Sequence, residues 1–163
     1  AGTQRPTWTS SGVVFDGIDN HIYNVDYNIP QPWTTYIVMR EITWTTFDRL
    51  ISFLPNSLYL RQRTSSPNVT FTCASTDDYT ATVSSLNTLF VCIIRANGSS
   101  SKIQINNGTP TVANASNIAL DDLNIGMGEG NIAVREVIIR DLADSTTDEE
   151  AIIEYLMTKY SIE

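Results

Sequence analysis

Two adjacent carboxylate pairs, Asp77-Asp78 and Asp121-Asp122, and the acidic group Glu149, Glu150 and Glu154 are the residues best suited to general acid or base work. Hydrolysis of a glycosidic bond needs two carboxylates facing each other about 5–5.5 Å or 6.5–9.5 Å apart. Adjacent residues on a strand diverge to opposite faces. The glutamates fall in a helical pattern, where solvation or the helix dipole accounts for them. His21, the only histidine, follows a tight turn and reads as structural; no Gly-x-Ser-x-Gly elbow accompanies it. Cys73 and Cys92 lie in apolar strand patterns and read as buried thiols acting as small hydrophobes, with a disulfide as the alternative. No Cys-x-x-Cys is present, so zinc and redox motifs are absent. The chain is expected to be non-catalytic.

Binding is the stronger chemistry. The strand pattern over 57–63 puts Leu58 and Leu60 on one face and Tyr59, Arg61 and Arg63 on the other. Thr70 and Thr72 face outward in the next pattern, and Lys102, Gln104 and Asn106 in a later one. If these strands share a sheet, its outer surface offers an aromatic ring with guanidinium and amide donors. Such surfaces hold sugars by ring stacking and bidentate hydrogen bonds. Trp33 reads as core, whereas Trp44, set among threonines in a loop, is a further contact. The expected ligand contacts are therefore Tyr59, Arg61, Arg63, Trp44 and Gln104, against the plain alternative of a solvated sheet face. A structural calcium ion is the one cofactor considered. Asp16, Asp19 and Asp121, with Asn20, Asp122 and Glu129, are hard oxygen ligands in turns; the competing role for them is turn capping.

Short strands must position these residues. Strand patterns recur at 13–15, 21–23, 33–39, 49–54, 57–63, 68–74, 79–83, 88–95, 102–106, 109–113, 118–125 and 131–140. Asp16-Gly17, Pro55-Asn56 and Asn97-Gly98 mark turns between them, and Asn107-Gly108 predicts a tight type I′ hairpin. The run 89–94 is apolar on both faces, as in a central strand. After 131–140 the period changes, and an amphipathic helix is expected over about 148–160. Thr147 and Glu150 fit a capping box. Ile152, Ile153, Leu156, Met157 and Tyr160 form one stripe, which should cover the convex sheet. The pattern predicts a single all-β domain over 1–163, a two-sheet antiparallel sandwich with one C-terminal α-helix.

Composition narrows the partners. A net charge of −8 over 163 residues disfavours phosphate backbones and anionic lipid, so nucleic acid is excluded as a partner. No apolar run approaches the roughly 18–20 residues of a membrane span, which argues against membrane insertion. The opening segment, 1–6, lacks the apolar core of a signal peptide.

Three segments carry a resemblance. Val14-Phe-Asp-Gly-Ile-Asp-Asn-His-Ile22 is similar to the Phe-Asp-Gly opening of concanavalin A-like jelly rolls of the laminin-G-like group. The apolar strand 89–95, followed by 102–108 ending in Asn-Gly, matches a second part of that pattern. Residues 132–139 and 142–160 resemble its closing strand and Tyr-Leu-x-x-Lys-Tyr helix. Gln4-Arg-Pro-Thr7 resembles stretches of tailed-phage structural proteins and bacterial surface proteins. The usual earlier strand with its Trp-x-Asp-x-Ser-Gly-Asn segment is not present, as in a processed or shorter variant. The Glu-x-Asp-x-x-Glu strand of related glucanases is also absent. The resemblance implies a lectin-like module of a virion or extracellular surface, contacting glycan or a neighbouring virion protein within a larger assembly. A purely structural decoration protein, a bacterial adhesion domain and a glycan hydrolase are its alternatives.

Overall fold

A computed structural model describes residues 5–24, 28–53, 58–62, 68–73, 77–83, 85–126 and 130–163. The first strands are β1 (Thr7–Thr9), β2 (Gly12–Asp16), β3 (Ile22–Tyr23), β4 (Asn28–Ile29) and β5 (Trp33–Glu41). There follow β6 (Arg49–Phe53), β7 (Leu58–Gln62), β8 (Asn68–Cys73), β9 (Asp77–Thr82) and β10 (Phe90–Ala96). The last are β11 (Ser101–Ile105), β12 (Thr111–Ala113), β13 (Leu120–Asp121), β14 (Leu123–Ile125) and β15 (Asn131–Arg140), before helix α1 (Thr146–Tyr160). They form a seven-stranded sheet in the order β1-β2-β15-β5-β10-β11-β12 and a six-stranded sheet in the order β3-β14-β6-β7-β8-β9. A short ladder joins β13 to β4. The pairings within both sheets are antiparallel. This is the two-sheet sandwich with a terminal helix that the alternating patterns predict.

The core lies between the sheets. Phe15, Trp33, Ile37, Met39, Phe90, Cys92 and Ile94 from one sheet meet Ile51, Phe53, Leu58, Leu60, Val69 and Phe71 from the other. Cys73 and Cys92 are both buried in this core. Period-two alternation explains the arrangement, because each inward residue is followed by one aimed at the opposite face. The two central strands β5 and β10 are apolar on both faces for a reason. Their outward side chains Tyr36, Val38, Val91 and Ile93 are covered by Ile153 and Leu156 of α1, with Ile152, Met157 and Tyr160 packed around them. Burying Ile153 and Leu156 contributes about 2 kcal/mol each.

Several local expectations need correction. The helix starts at Thr146, not Asp148, and its cap is Ser145, whose Oγ accepts the Asp148 N–H at 3.2 Å and donates to the Asp148 carboxylate at 2.7 Å. Ser145-x-x-Asp148 and Thr147-x-x-Glu150 both fit a capping pattern, and the first is the one formed. Asn107-Gly108 is not a two-residue hairpin turn, since the β11–β12 ladder begins only at Ile103 and Thr111. The pattern 118–125 is broken at Asp122 (φ 36°), which separates β13 from β14. Asp77 and Asp78 belong to β9 itself rather than to the turn before it. The Pro55-Asn56 turn lies outside the described residues.

Candidate functional site on the six-stranded sheet

The outer face of the six-stranded sheet is assembled by the same alternation. Leu58 and Leu60 enter the core, so Tyr59 and Arg61 point outward, and Val69 and Phe71 do the same for Thr70 and Thr72. The register pairs Tyr59 with Thr72, Thr72 with Asp78, Tyr59 with Ser52, Ser52 with Asn124 and Asn124 with Tyr23. These six residues form one row across the sheet.

Charge on this face is organised around Tyr59. The Arg49 guanidinium lies 5.0 Å from the centre of the Tyr59 ring and the Arg61 guanidinium 5.4 Å from it. Arg61 also lies 5.4 Å from the Phe47 ring, which is 49% exposed. Arg61 Nη2 donates to both oxygens of Asp78 at 2.9 Å, and Thr72 Oγ1 donates to Asp78 Oδ1 at 2.6 Å. Phe47 has φ 72°, a left-handed conformation that is costly for a bulky residue. Its loop is pinned by the buried Gln62. The Gln62 side chain accepts the Thr45 N–H at 2.9 Å and donates to the Thr43 carbonyl at 2.8 Å. The Gln62 main-chain carbonyl accepts the Phe47 N–H at 3.2 Å. The arrangement can stack a ring against Tyr59 or Phe47 and offer guanidinium donors at its rim.

Of the expected contacts, Tyr59 and Arg61 come together here. Trp44 is half-buried on the same pinned loop as Phe47. Arg63 lies outside the described residues. Gln104 does not join them: it is on β11 in the other sheet, buried beneath the helix, accepting from Lys102 Nζ at 2.9 Å. Alternation assigned its direction correctly, but direction along a strand carries no information about which sheet that strand enters. The expected calcium set is likewise not assembled. Asp16 Oδ1 accepts the Ile18 N–H at 3.0 Å and, at 3.4 Å, those of Asp19 and Asn20, while Oδ2 accepts from Asn20 Nδ2 at 3.1 Å. These bonds, that of Ile18 foremost, hold the Asp16 carboxyl below the usual carboxylate range. Among the described residues no three His, Cys, Asp or Glu side chains are grouped to hold a metal ion; Asp16 ends β2, Asp19 lies in the turn that follows it, and Asp121 ends β13. Glu129 lies outside the described residues.

Arg49, Phe47 and the pairing of Asp78 are additions that sequence reasoning missed. Counting back from Phe53 and Ile51 by twos points Arg49 into the core. A register shift between Arg49 and Ile51 buries both Leu50 and Ile51 and turns Arg49 outward.

A second polar cluster sits under the start of α1. Glu149, only 1% exposed, contacts Arg95 Nη1 at 3.2 Å and Lys102 Nζ at 2.6 Å, the latter an ion contact whose angle falls short of a hydrogen bond. Arg95, Lys102, Gln104 and Glu149 themselves line a cleft of about 670 Å³, with Asn107 and Glu150 among the residues that complete it. Arg95 spends its donors on Glu149 and on the Ser100 and Asp144 carbonyls. These ion contacts tie Glu149 of α1 to Arg95 of β10 and Lys102 of β11.

No protein-family profile and no curated protein matches this sequence. Solved structures do share its fold. A Trypanosoma rangeli sialidase in complex with sialic acid superposes with a TM-score of 0.67 at 11% identity, covering 93% of this chain and 28% of the sialidase. The binding domain of botulinum neurotoxin DC in complex with SialylT gives 0.61 at 14% identity, covering 76% of this chain and 35% of that one. A botulinum neurotoxin type C structure, described by its interaction with two ganglioside molecules, gives 0.62 at 14% identity, with 76% and 36% covered. At these identities the likeness is one of fold. The chain spans about a third or less of the proteins it resembles.

Proposed function

We propose that this chain is a non-catalytic, lectin-like module whose six-stranded outer face binds glycan, carried on a virion or another extracellular surface assembly. The observation that carries the glycan reading is Tyr59, held on an outer sheet face with guanidinium groups 5.0 and 5.4 Å from its ring. Aromatic rings with adjacent charged donors bind sugars through apolar contact on one side and directional hydrogen bonds on the other. The sandwich fold, shared with structures solved in complex with sialic acid and SialylT, supports it. The resemblance of Gln4-Arg-Pro-Thr7 to stretches of tailed-phage and bacterial surface proteins supports the surface setting. A non-catalytic role is supported by the engagement of two of the acids considered for hydrolysis: Asp78 with Arg61 and Thr72, and Glu149 with Arg95 and Lys102.

A glycan array tests this reading. The native protein is expected to give reproducible hits that weaken ten- to a hundredfold in Tyr59→Ala. Folding should be kept, because substitutions at partly exposed positions usually change stability little. Hits untouched by the substitution would place the contact surface elsewhere. An empty array would favour the second reading, a structural decoration protein whose ligand is its neighbour. Trp8, 79% exposed on edge strand β1, and Val112, 70% exposed on edge strand β12, favour that reading, since they leave apolar groups at both edges of the seven-stranded sheet.

A further inference from the structure

Arg49 of β6 and Arg61 of β7 are direct cross-strand partners. Like charges placed opposite one another on a sheet repel, and here the two are neutralised unequally. Arg61 is ion-paired with Asp78 at 2.9 Å and lies beside the Phe47 and Tyr59 rings. Arg49 lies against the Tyr59 ring, and among the described residues no hydrogen bond or ion pair reaches its guanidinium. A ring face attracts a cation but leaves its five N–H donors without acceptors.

We propose that Arg49 receives the carboxylate of an acidic sugar, so that the ligand of this face is an anionic rather than a neutral saccharide. The inference rests on the glycan reading above and narrows it. Neutral sugars present hydroxyls that both donate and accept, and they are bound well where carboxylates stand ready to accept hydrogen bonds from them. On this face the Asp78 carboxylate is already occupied by Arg61 and Thr72, whereas the Arg49 guanidinium beside Tyr59 is held by the ring face alone among the described residues. A planar carboxylate matches the guanidinium fork with two parallel hydrogen bonds. It also removes the uncompensated charge beside Arg61. The chain as a whole is acidic, with a net charge of −8, and its long-range field repels anions. Recognition must therefore come from this local pair rather than from steering.

The test is calorimetric titration of the intact protein with paired oligosaccharides. One pair is sialyllactose and lactose; the other is a glucuronate-containing tetrasaccharide and its carboxyl-reduced form. Lactose 3-sulfate distinguishes carboxylate from sulfate. At least one acidic member is expected to bind tenfold or more tightly than its neutral partner, and more tightly than the sulfate. In Arg49→Gln the acidic sugar should fall to the level of the neutral one, with Arg49→Lys between the two because it keeps charge but loses the fork. Neutral and acidic members binding alike, with both lost in Tyr59→Ala, would overturn the role of Arg49 and leave the glycan reading standing. Preference for the sulfate would overturn the carboxylate assignment. No binding of any member would overturn both readings. The ratio in the native protein decides the matter even if a variant fails to fold.

Discussion

Replacing Glu149 with alanine is expected to destabilise the protein by about 3–5 kcal/mol, the usual cost of removing one partner from a buried ion pair. The carboxylate is 1% exposed and lies between Arg95 and Lys102, whose side chains are 21% and 10% exposed. Without it Lys102 retains, among the described residues, Gln104 alone as a partner, whereas Arg95 keeps the Ser100 and Asp144 carbonyls. The lost energy should therefore reside mostly in Lys102. Glu149 also stands in the first turn of α1, where a negative charge is favoured by the helix dipole. Urea denaturation should show the loss as a lower midpoint at unchanged slope. The double replacement Glu149→Leu with Lys102→Met should recover most of it, since an apolar pair avoids the desolvation cost. A Glu149→Ala variant within about 1 kcal/mol of the native protein would mean that the ion cluster does not hold the helix down.

A second large effect is expected from Glu41, in the opposite sense. Glu41 ends β5 in phase with Trp33, Ile37 and Met39, so it faces the core and is only 1% exposed. Neither carboxylate oxygen has a hydrogen-bond partner among the described residues. Burial pushes its carboxyl up to about 8, and the nearby Gln62 amide lowers it only in part without reaching hydrogen-bond geometry. Because the folded value is raised, the native state holds a proton that the unfolded chain releases. Stability from this group is complete below about 4.5, the value for the unfolded chain, and is lost as pH rises toward about 8. Each tenfold difference in proton affinity between the folded and unfolded states is worth about 1.4 kcal/mol, which makes the loss of order 4 kcal/mol. Glu41→Gln keeps the shape of the neutral acid and cannot ionise. It should match the native protein at pH 4.5 and exceed it by several kcal/mol at pH 8, measured by urea denaturation at both. Parallel pH profiles for the two proteins would show that Glu41 is solvated in the folded state.

Sequence periodicity placed much of this site because it is governed by local geometry. The direction of Tyr59, Arg61, Thr70 and Thr72 follows from the alternation of Leu58, Leu60, Val69 and Phe71 alone. The helix stripe follows from its 3.6-residue spacing, and the doubly apolar run 89–94 announced a strand covered on both sides. What was not legible depends on tertiary pairing. Gln104 points outward as predicted, yet from the other sheet and beneath a helix. Arg49 reaches the site only because a bulge reverses the phase of β6. Glu149 has the composition of a solvated helical residue and becomes a buried one through two cations more than forty residues away in the chain. Asp16 and Asp19 have the chemistry of calcium ligands, but the turn supplies enough N–H donors to satisfy Asp16 by itself.

Ligand is expected to meet the outer face of the six-stranded sheet. The most direct measurement of that contact is a two-dimensional amide NMR titration of the assigned protein with the paired neutral and acidic oligosaccharides at millimolar concentration. Shifts should be confined to Phe47, Arg49, Tyr59, Arg61, Thr72, Asp78 and their strand neighbours, saturating with the acidic members first. Shifts centred on Arg95, Lys102 and the β11–β12 loop, or no shifts at all, would contradict it.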